Sequence, residues 1–391
     1  MNILLIASDL GLGGAQQIVI NLANELVNQR HKVWVFDVQP EHRVEGMISR
    51  FDIKVNLISR NYNTTNFSVT EKLVHYGLNK LSKRNNFKKH RFKKHVNNLN
   101  SILSSNRIDY INSHNCWADF YVYKELKKLH SKWIISLHAS YNSLLASTEN
   151  NNKYSNQVKN TITAASKVIY IHDKGLQLLE KKLQISVRKA KKIFNGIPDY
   201  KKPVNIKRKD FEIKNDDFVI LCASRASKSK GWYELAKCVL ALKMPKIKLI
   251  FAGDGEILED LKNKYSKCRS TIKFLGFQKQ INSLISISDI ICLPSYTEAL
   301  PTILIESIFH NKPVIATNVG ETANIIENKK GRCGVLINAN KGAELVRDLK
   351  KEIIKITNTP PNFEKEAFEE AKKLFSSKKM VQNYINYFVE N

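Results

Sequence analysis

The sequence predicts an α/β protein made of two consecutive Rossmann-like, doubly wound domains, and three observations carry that expectation. Short apolar runs alternate with amphipathic segments along the chain. The first run ends in a glycine-rich turn, and a polar stretch rich in Pro and Lys at Pro198–Lys209 divides the runs into two series. Strand, helix and strand in that order make a βαβ unit, whose strands lie parallel.

Residues 2–7 (NILLIA) are the first apolar run and lead into the turn LGLGGA. Ile18, Ile20, Leu22, Ala23 and Leu26 then invite a helix, and VWVFDV at 33–38 reads as a second buried strand. IDYINSH (108–114) and KWIISLH (132–138) are strands that each end in a histidine, and KVIYIH (167–172) is another. The second series holds DFVILCASR (217–225), IKLIFAG (247–253), TIKFLGF (271–277), DIICLPS (289–295), KPVIATN (312–318) and CGVLIN (333–338). From about Glu366 the segment KLFSSKKMVQNYINYF is helical in pattern and suited to crossing back onto the first domain. The expected division is a domain of residues 1–198 joined by a C-terminal helix at 375–391, a second domain of 199–374, and a cleft that both face.

A chain of 391 residues is long enough for two cores. Its hydrophobic share of 43% and charged share of 25% are those of a globular protein, which excludes wholesale disorder. Lys and Arg number 63 against 36 Asp and Glu, a net +27 that favours polyanionic partners: nucleic acid, an anionic membrane surface or phosphorylated small molecules. The six cysteines show no C-x-x-C and no zinc spacing, and most sit in apolar runs, a pattern suited to a reducing compartment. The opening MNILLIASDL lacks a basic region and a signal-length apolar core, and no apolar stretch reaches the ~18 residues of a membrane span. The expected location is the cytoplasm, with membrane contact only peripheral.

Residues 72–108 hold ten Lys and Arg and no acidic residue. Phe92, Val96, Leu99 and Leu103 share one helix face, suited to packing on the sheet, so the opposite face is cationic. Without negative partners this tract suits an anionic membrane surface better than a merely solvated face.

The strongest chemical signal is SYTEALPTILIES, with Glu298 and Glu306. The strand DIICLPS delivers the chain to a loop, and Pro301 suits the first turn of the next helix. The amides around Ala299, Leu300, Pro301 and Thr302 then open a helix N-terminus, where unpaired donors and the helix dipole favour a diphosphate. Two carboxylates also suit acid/base hydrolysis of a glycoside, but at such a helix start they are better placed to grip sugar hydroxyls. Arg225 and Lys230, in the loop SRASKSKG after a buried strand, provide cations for a diphosphate and a leaving group. In the first half, Gly13 and Gly14 read equally as a tight turn or as a close approach of backbone to ligand. His138 ends a strand, and His114 and Asn115 (SHNCW) either line the same cleft or are structural.

The ordered set Gly13-Gly14, His138, Asn195-Gly196, Arg225, Lys230-Gly231, Gly253-Asp254-Gly255 and Glu298 with Glu306 resembles glycosyltransferase family 4 over nearly the whole chain. The resemblance implies a GT-B fold, a retaining mechanism and a nucleotide-diphosphate sugar as co-substrate. It implies no metal and no further cofactor, in keeping with the missing D-x-D motif. It places Arg225 and Lys230 on the diphosphate, Glu298 on the transferred sugar and Glu306 on the ribose. The amides after Glu298 meet the distal phosphate and sugar, Gly276-Phe277 meets the base, and His138 lies near the transferred sugar. Gly14 falls on the donor side, and Gly13, Gln16, His114 and Asn115 on the acceptor side. Many family members carry Glu where this chain has Gln16.

The expected reaction is hexosyl transfer to a glycan acceptor, lipid-linked or membrane-bound, in the assembly of bacterial surface polysaccharide such as capsule or lipopolysaccharide. Competing readings are a GT-B epimerase or phosphorylase, a catalytically dead scaffold and a nucleic-acid-binding protein. The chain shows no zinc finger, helix-turn-helix or aromatic RNA-binding signature, so nucleic acid is not expected as a partner.

Overall fold

The computed structural model describes residues 1–60, 84–126, 129, 131–138, 151–199, 206–359 and 363–390. The chain divides into two compact units, Met1–Gly196 with Met380–Asn391, and Ile197–Lys379.

The first unit is built on seven parallel strands. They are β1 (Asn2–Ala7), β2 (Lys32–Asp37), β3 (Asn56–Leu57), β4 (Tyr110–His114), β5 (Lys132–Leu137), β6 (Lys167–Tyr170) and β7 (Ala190–Lys192). Their spatial order is β3-β2-β1-β4-β5-β6-β7. The chain lays strands outward from β1 in one direction, then restarts beside β1 and proceeds in the other. That reversal, between β1 and β4, is where a doubly wound sheet opens a crevice at its carboxyl edge.

Helix α1 (Gly14–Asn28) buries Ile18, Val19, Leu22, Ala23 and Leu26, the stripe its 3.6-residue period allows. After α2 (Glu45–Ile48) comes α3 (Arg84–Ser105), which holds most of the basic tract; residues 72–83 lie outside the described ones. Leu99 is buried, and Val96 and Leu103 pack on the same core. His95 joins that face: its ring is buried, stacks on Phe36 at 4.3 Å and lies 2.9 Å from the Asp37 carbonyl. Lys93 and Lys94 are exposed. Helices α4 (Cys116–Tyr121), α5 (Asn151–Ala164) and α6 (Asp173–Leu183) complete the run.

The second unit has six parallel strands in the order β10-β9-β8-β11-β12-β15. They are β8 (Phe218–Ala223), β9 (Ile247–Ala252), β10 (Ile272–Phe274), β11 (Ile290–Leu293), β12 (Val314–Thr317) and β15 (Gly334–Ile337), with a small hairpin of β13 (Glu327–Asn328) and β14 (Gly331–Arg332) before the last. The reversal here falls between β8 and β11. The helices are α7 (Trp232–Leu242), α8 (Leu258–Lys264), α9 (Ile281–Ile287), α10 (Thr302–Phe309), α11 (Thr322–Ile326), α12 (Gly342–Asn358) and α13 (Lys365–Leu374). Helix α12 turns Leu345, Leu349, Ile353 and Ile356 inward at helical spacing.

The expected terminal helix is two helices, because the chain leaves helical geometry at Phe375 and Ser376. There the Ile197 amide donates to the Phe375 carbonyl and the Ser377 amide to the Ile197 carbonyl. The second helix, α14 (Ser377–Val389), sinks Met380, Val381, Tyr384 and Phe388 into the core of the first unit.

Candidate active site

In the second unit, the strand-order reversal brings together the loops after β8 and β11. Lys230 ends a short 3-10 turn in the first loop, and Glu298 lies in the second. Their side chains meet at 2.7 Å, Nζ to Oε1, with 20% and 13% of their surfaces exposed. Residues 68 apart in sequence thus form one charged pair at the carboxyl edge.

Backbone contacts fix both loops. The Tyr296 amide donates to the Ser229 carbonyl at 2.8 Å. Gly231 has φ +66°, and a Cβ there would lie 2.1 Å from the Pro294 carbonyl oxygen. Beneath, Trp232 is fully buried, stacks on Phe251 and donates from Nε1 to Ser224 Oγ at 2.8 Å. The Glu298 loop is held from the other side by the segment after β12. Gly320 has φ +58°, and a Cβ there would meet the Glu298 carbonyl at 2.3 Å; the Glu321 amide donates to the Ala299 carbonyl at 2.8 Å. Thr317 Oγ1 donates to the Ser295 carbonyl.

Pro301 is the N-cap of α10 rather than a residue of its first turn, since its ψ of 109° is extended. It provides no side-chain cap, and the amides of Ala299, Leu300 and Thr302 donate to no backbone carbonyl among the described residues. These donors sit one to four residues past Glu298. Glu306 is half-buried in the second turn of the same helix. Arg225 is exposed two residues past β8 and forms no ion pair among the described residues. Phe277 is 46% exposed at the same edge, but it follows β10, two strands from β8.

In the first unit the adjacent strands β4 and β5 bring two histidines together at the carboxyl edge, one strand beyond the reversal. His114 ends β4 and His138 follows β5, and the two rings meet through His114 Nδ1 and His138 Nε2 at 2.9 Å, stacked at 5.2 Å. Burial pushes His114 well below the ordinary histidine range, helped by its neighbour, and burial lowers His138 to about 4. Both rings are therefore neutral at pH 7. Their far nitrogens, His114 Nε2 and His138 Nδ1, are buried and have no hydrogen-bond partner among the described residues. Asn115 caps α4 at φ +74°, a conformation unusual for a residue with a Cβ.

Gly13 is the extended N-cap of α1, and Gly14, its first residue, is exposed with open space around it. Gln16 donates from Nε2 to Asp9 Oδ1 at 2.9 Å, and the Gly11 amide donates to the same oxygen. The acid at this turn is therefore Asp9, which explains how an amide can stand at position 16.

Two features escaped the sequence reading. One is the Gly320 clamp, for which Gly beside Val319 at a strand end was a faint signal. The other is Ser295, whose buried hydroxyl has no hydrogen-bond partner among the described residues. Asn195, named in the ordered set, is buried, and its Oδ1 likewise has no partner among the described residues.

Two parallel, doubly wound sheets with polar side chains gathered at their carboxyl edges define a two-Rossmann α/β protein. Comparison with known proteins agrees. The family model described as Glycosyltransferase Family 4 matches residues 12–200, and that for Glycosyl transferases group 1 matches residues 204–373. An uncharacterized glycosyltransferase of Haemophilus influenzae is 26% identical over 345 residues, 86% of each chain. The UDP-Gal:alpha-D-GlcNAc-diphosphoundecaprenol alpha-1,3-galactosyltransferase of Escherichia coli is 25% identical over 176 residues, 42% of this chain and 46% of that one. Among solved structures, Anabaena HepE in complex with UDP and glucose superposes with a TM-score of 0.73 at 19% identity, covering 100% of both chains. This chain belongs to the group 1, family 4 glycosyltransferases and has the GT-B fold.

Proposed function

We propose that this glycosyltransferase moves a hexosyl unit from a nucleoside-diphosphate sugar to a hydroxyl of a lipid-linked glycan in surface-polysaccharide assembly, with retention at the anomeric carbon and without a metal. The observation that carries the reading is the contact of Lys230 and Glu298 beside uncapped amides at a strand-order reversal. A cation, a carboxylate and amides in one place match the three parts of such a donor: diphosphate, sugar hydroxyls and distal phosphate.

Lys230 rests on Glu298. A diphosphate takes the ammonium, and the carboxylate is released to the sugar hydroxyls. A partly exposed ion pair is worth on the order of 1 kcal/mol or less, so the exchange costs little. Arg225 and Lys230 then offset charge on the departing diphosphate, as a divalent cation otherwise would, and the amides of Ala299, Leu300 and Thr302 add fixed dipoles. Glu306 holds the ribose, and Phe277 borders the base. His138 in the first unit meets the transferred sugar. The acceptor hydroxyl attacks from the leaving-group face and loses its proton to the departing phosphate.

The Escherichia coli relative, by its name, acts on a diphosphoundecaprenol-linked sugar with UDP-Gal, which supports a UDP-sugar and a polyprenol-linked acceptor here. No described helix is long and apolar enough to cross a membrane. We assign contact with the anionic surface to the basic tract, of which Lys93 and Lys94 are exposed on α3.

A panel of nucleotide sugars, screened by thermal shift and then by release of nucleoside diphosphate with and without a polyprenol-linked acceptor, tests the reading. A UDP-hexose should raise Tm, turnover should need the acceptor and survive EDTA, and the product should keep the donor's anomeric configuration. No response to any nucleotide sugar, or turnover without an acceptor, would remove it. Flotation with anionic vesicles should fail in high salt; equal binding to neutral vesicles would count against the membrane contact.

A further inference from the structure

The His114–His138 pair asks for a role of its own. Strands β4 and β5 pair with His114 opposite Ser136, so His138 lies two residues beyond that rung on the neighbouring strand. Below the pair, the same face of the sheet carries a closed set of hydrogen bonds. Asn112 donates from Nδ2 to the Ile134 carbonyl and to Ser136 Oγ, each at 3.0 Å, and Ser136 Oγ lies 3.3 Å from the Tyr384 hydroxyl. Those polar atoms hold one another. Among the described residues the histidines above them use only their facing nitrogens, and each keeps one nitrogen buried and unpartnered. A native interior seldom leaves two such atoms, one at each end of a pair, without a use.

We propose that His114 is a positioning residue: its Nδ1 bond and its stacking hold the His138 ring in one plane, so that His138 Nδ1 meets a hydroxyl of the transferred sugar or of the acceptor. The inference deepens the assigned function and rests on its placement of His138 at the sugar. Proton bookkeeping fixes what the pair offers. Two neutral rings sharing one N–H···N bond have two arrangements. If His114 Nδ1 donates, His138 Nδ1 carries the second hydrogen and donates to a hydroxyl oxygen. If His138 Nε2 donates, His138 Nδ1 is a bare acceptor for a hydroxyl proton and His114 Nε2 carries the other hydrogen. A hydroxyl both donates and accepts, so either arrangement suits it, whereas a phosphate oxygen suits only the first. The pair thus accommodates a hydroxyl in either arrangement.

The test uses the full chain labelled with 15N-histidine, without ligand, together with steady-state kinetics on the donor and acceptor that the panel selects. The spectrum should show 15N–15N coupling across one hydrogen bond between His114 and His138. His114→Leu should lower kcat on the order of 10–10²-fold, as a misplaced contact does. Binding of UDP, read by calorimetry, should stay at the wild-type value because its site lies in the second unit. His114→Asn, whose amide reaches the place of Nδ1, should recover a large part of kcat. Missing coupling, or wild-type kcat in His114→Leu while His138→Ala is inactive, would overturn the positioning role and leave the assigned function standing. A fully active His138→Ala would instead break the placement of His138 on the sugar. If His114→Leu proves unfolded by thermal melt, the coupling and the kcat of His114→Asn decide, and a folded but inactive His114→Asn counts against the proposal.

Discussion

At the reversal in the second unit, Lys230 and Glu298 meet as full charges, and each keeps part of its side chain in solvent. In the first unit His114 and His138 meet as neutral rings at the ends of β4 and β5, one strand beyond the reversal, enclosed, each with one nitrogen that has no hydrogen-bond partner among the described residues. Both pairs join the carboxyl ends of adjacent parallel strands. The difference teaches that the fold provides only the place. The chemistry follows from which side chains the two strand ends carry. A charged pair suits a diphosphate with its counter-charge, and a neutral pair suits hydroxyls.

The sharpest way to break this contrast is to remove the charge. Lys230→Ala should lower kcat/KM by about 10²–10³. Glu298→Gln should also impair transfer, yet bind UDP up to a few-fold more tightly because Lys230 is no longer engaged. Weaker UDP binding by Glu298→Gln would show that the pair is not exchanged on binding.

The neutral pair has a pH signature. A histidine whose folded pKa is lowered binds its proton less readily in the native state than in the unfolded chain. Its contribution is therefore present above about 6.5 and lost as pH falls toward the folded value. For His138, at about 4, the loss is on the order of 3 kcal/mol between those limits. Urea melts at pH 7 and 4.5 should show it, with a shallower pH dependence in His114→Leu. Equal slopes would mean that the rings already titrate normally.

Gly320→Ala probes the loop clamp. The left-handed backbone costs about 1–2 kcal/mol for a residue with a Cβ, and the contact with the Glu298 carbonyl adds to it. Tm and kcat/KM should fall together, whereas a lower Tm with normal kinetics would separate the clamp from the site. The smallest effect belongs to Gln16→Glu, which sets a second carboxylate beside Asp9. Stability should fall by roughly 1 kcal/mol at pH 7 and recover in acid, as denaturant melts would show.

Much of this contrast was legible in the residues. Lys230 and Glu298 each follow a buried apolar run, and the carboxyl end of a parallel strand is where such groups converge. His138 was legible for the same reason. That His114 touches it was not, because the contact depends on the register of β4 against β5, and two strands that begin at Tyr110 and Lys132 can pair in several registers. Gly320 was silent because its role depends on another loop's carbonyl and not on its own neighbours. On α3 the apolar spacing of Val96, Leu99 and Leu103 gave the packed face. His95, which stands in a run of Lys and Arg, stacks on Phe36. Composition cannot distinguish a histidine that faces solvent from one that faces a ring.

Helix α14 has a consequence for how the polypeptide is made. Met380, Val381, Tyr384 and Phe388 are among the most enclosed side chains of the first unit, yet they leave the ribosome after every residue of the second. The second unit can complete its interior during translation, while the first waits with an open apolar seam where α14 meets β4 and β5. Nascent chains stalled before residue 380 should therefore hold the later half folded and the earlier half exposed to chaperones, the reverse of the order in which they were synthesised.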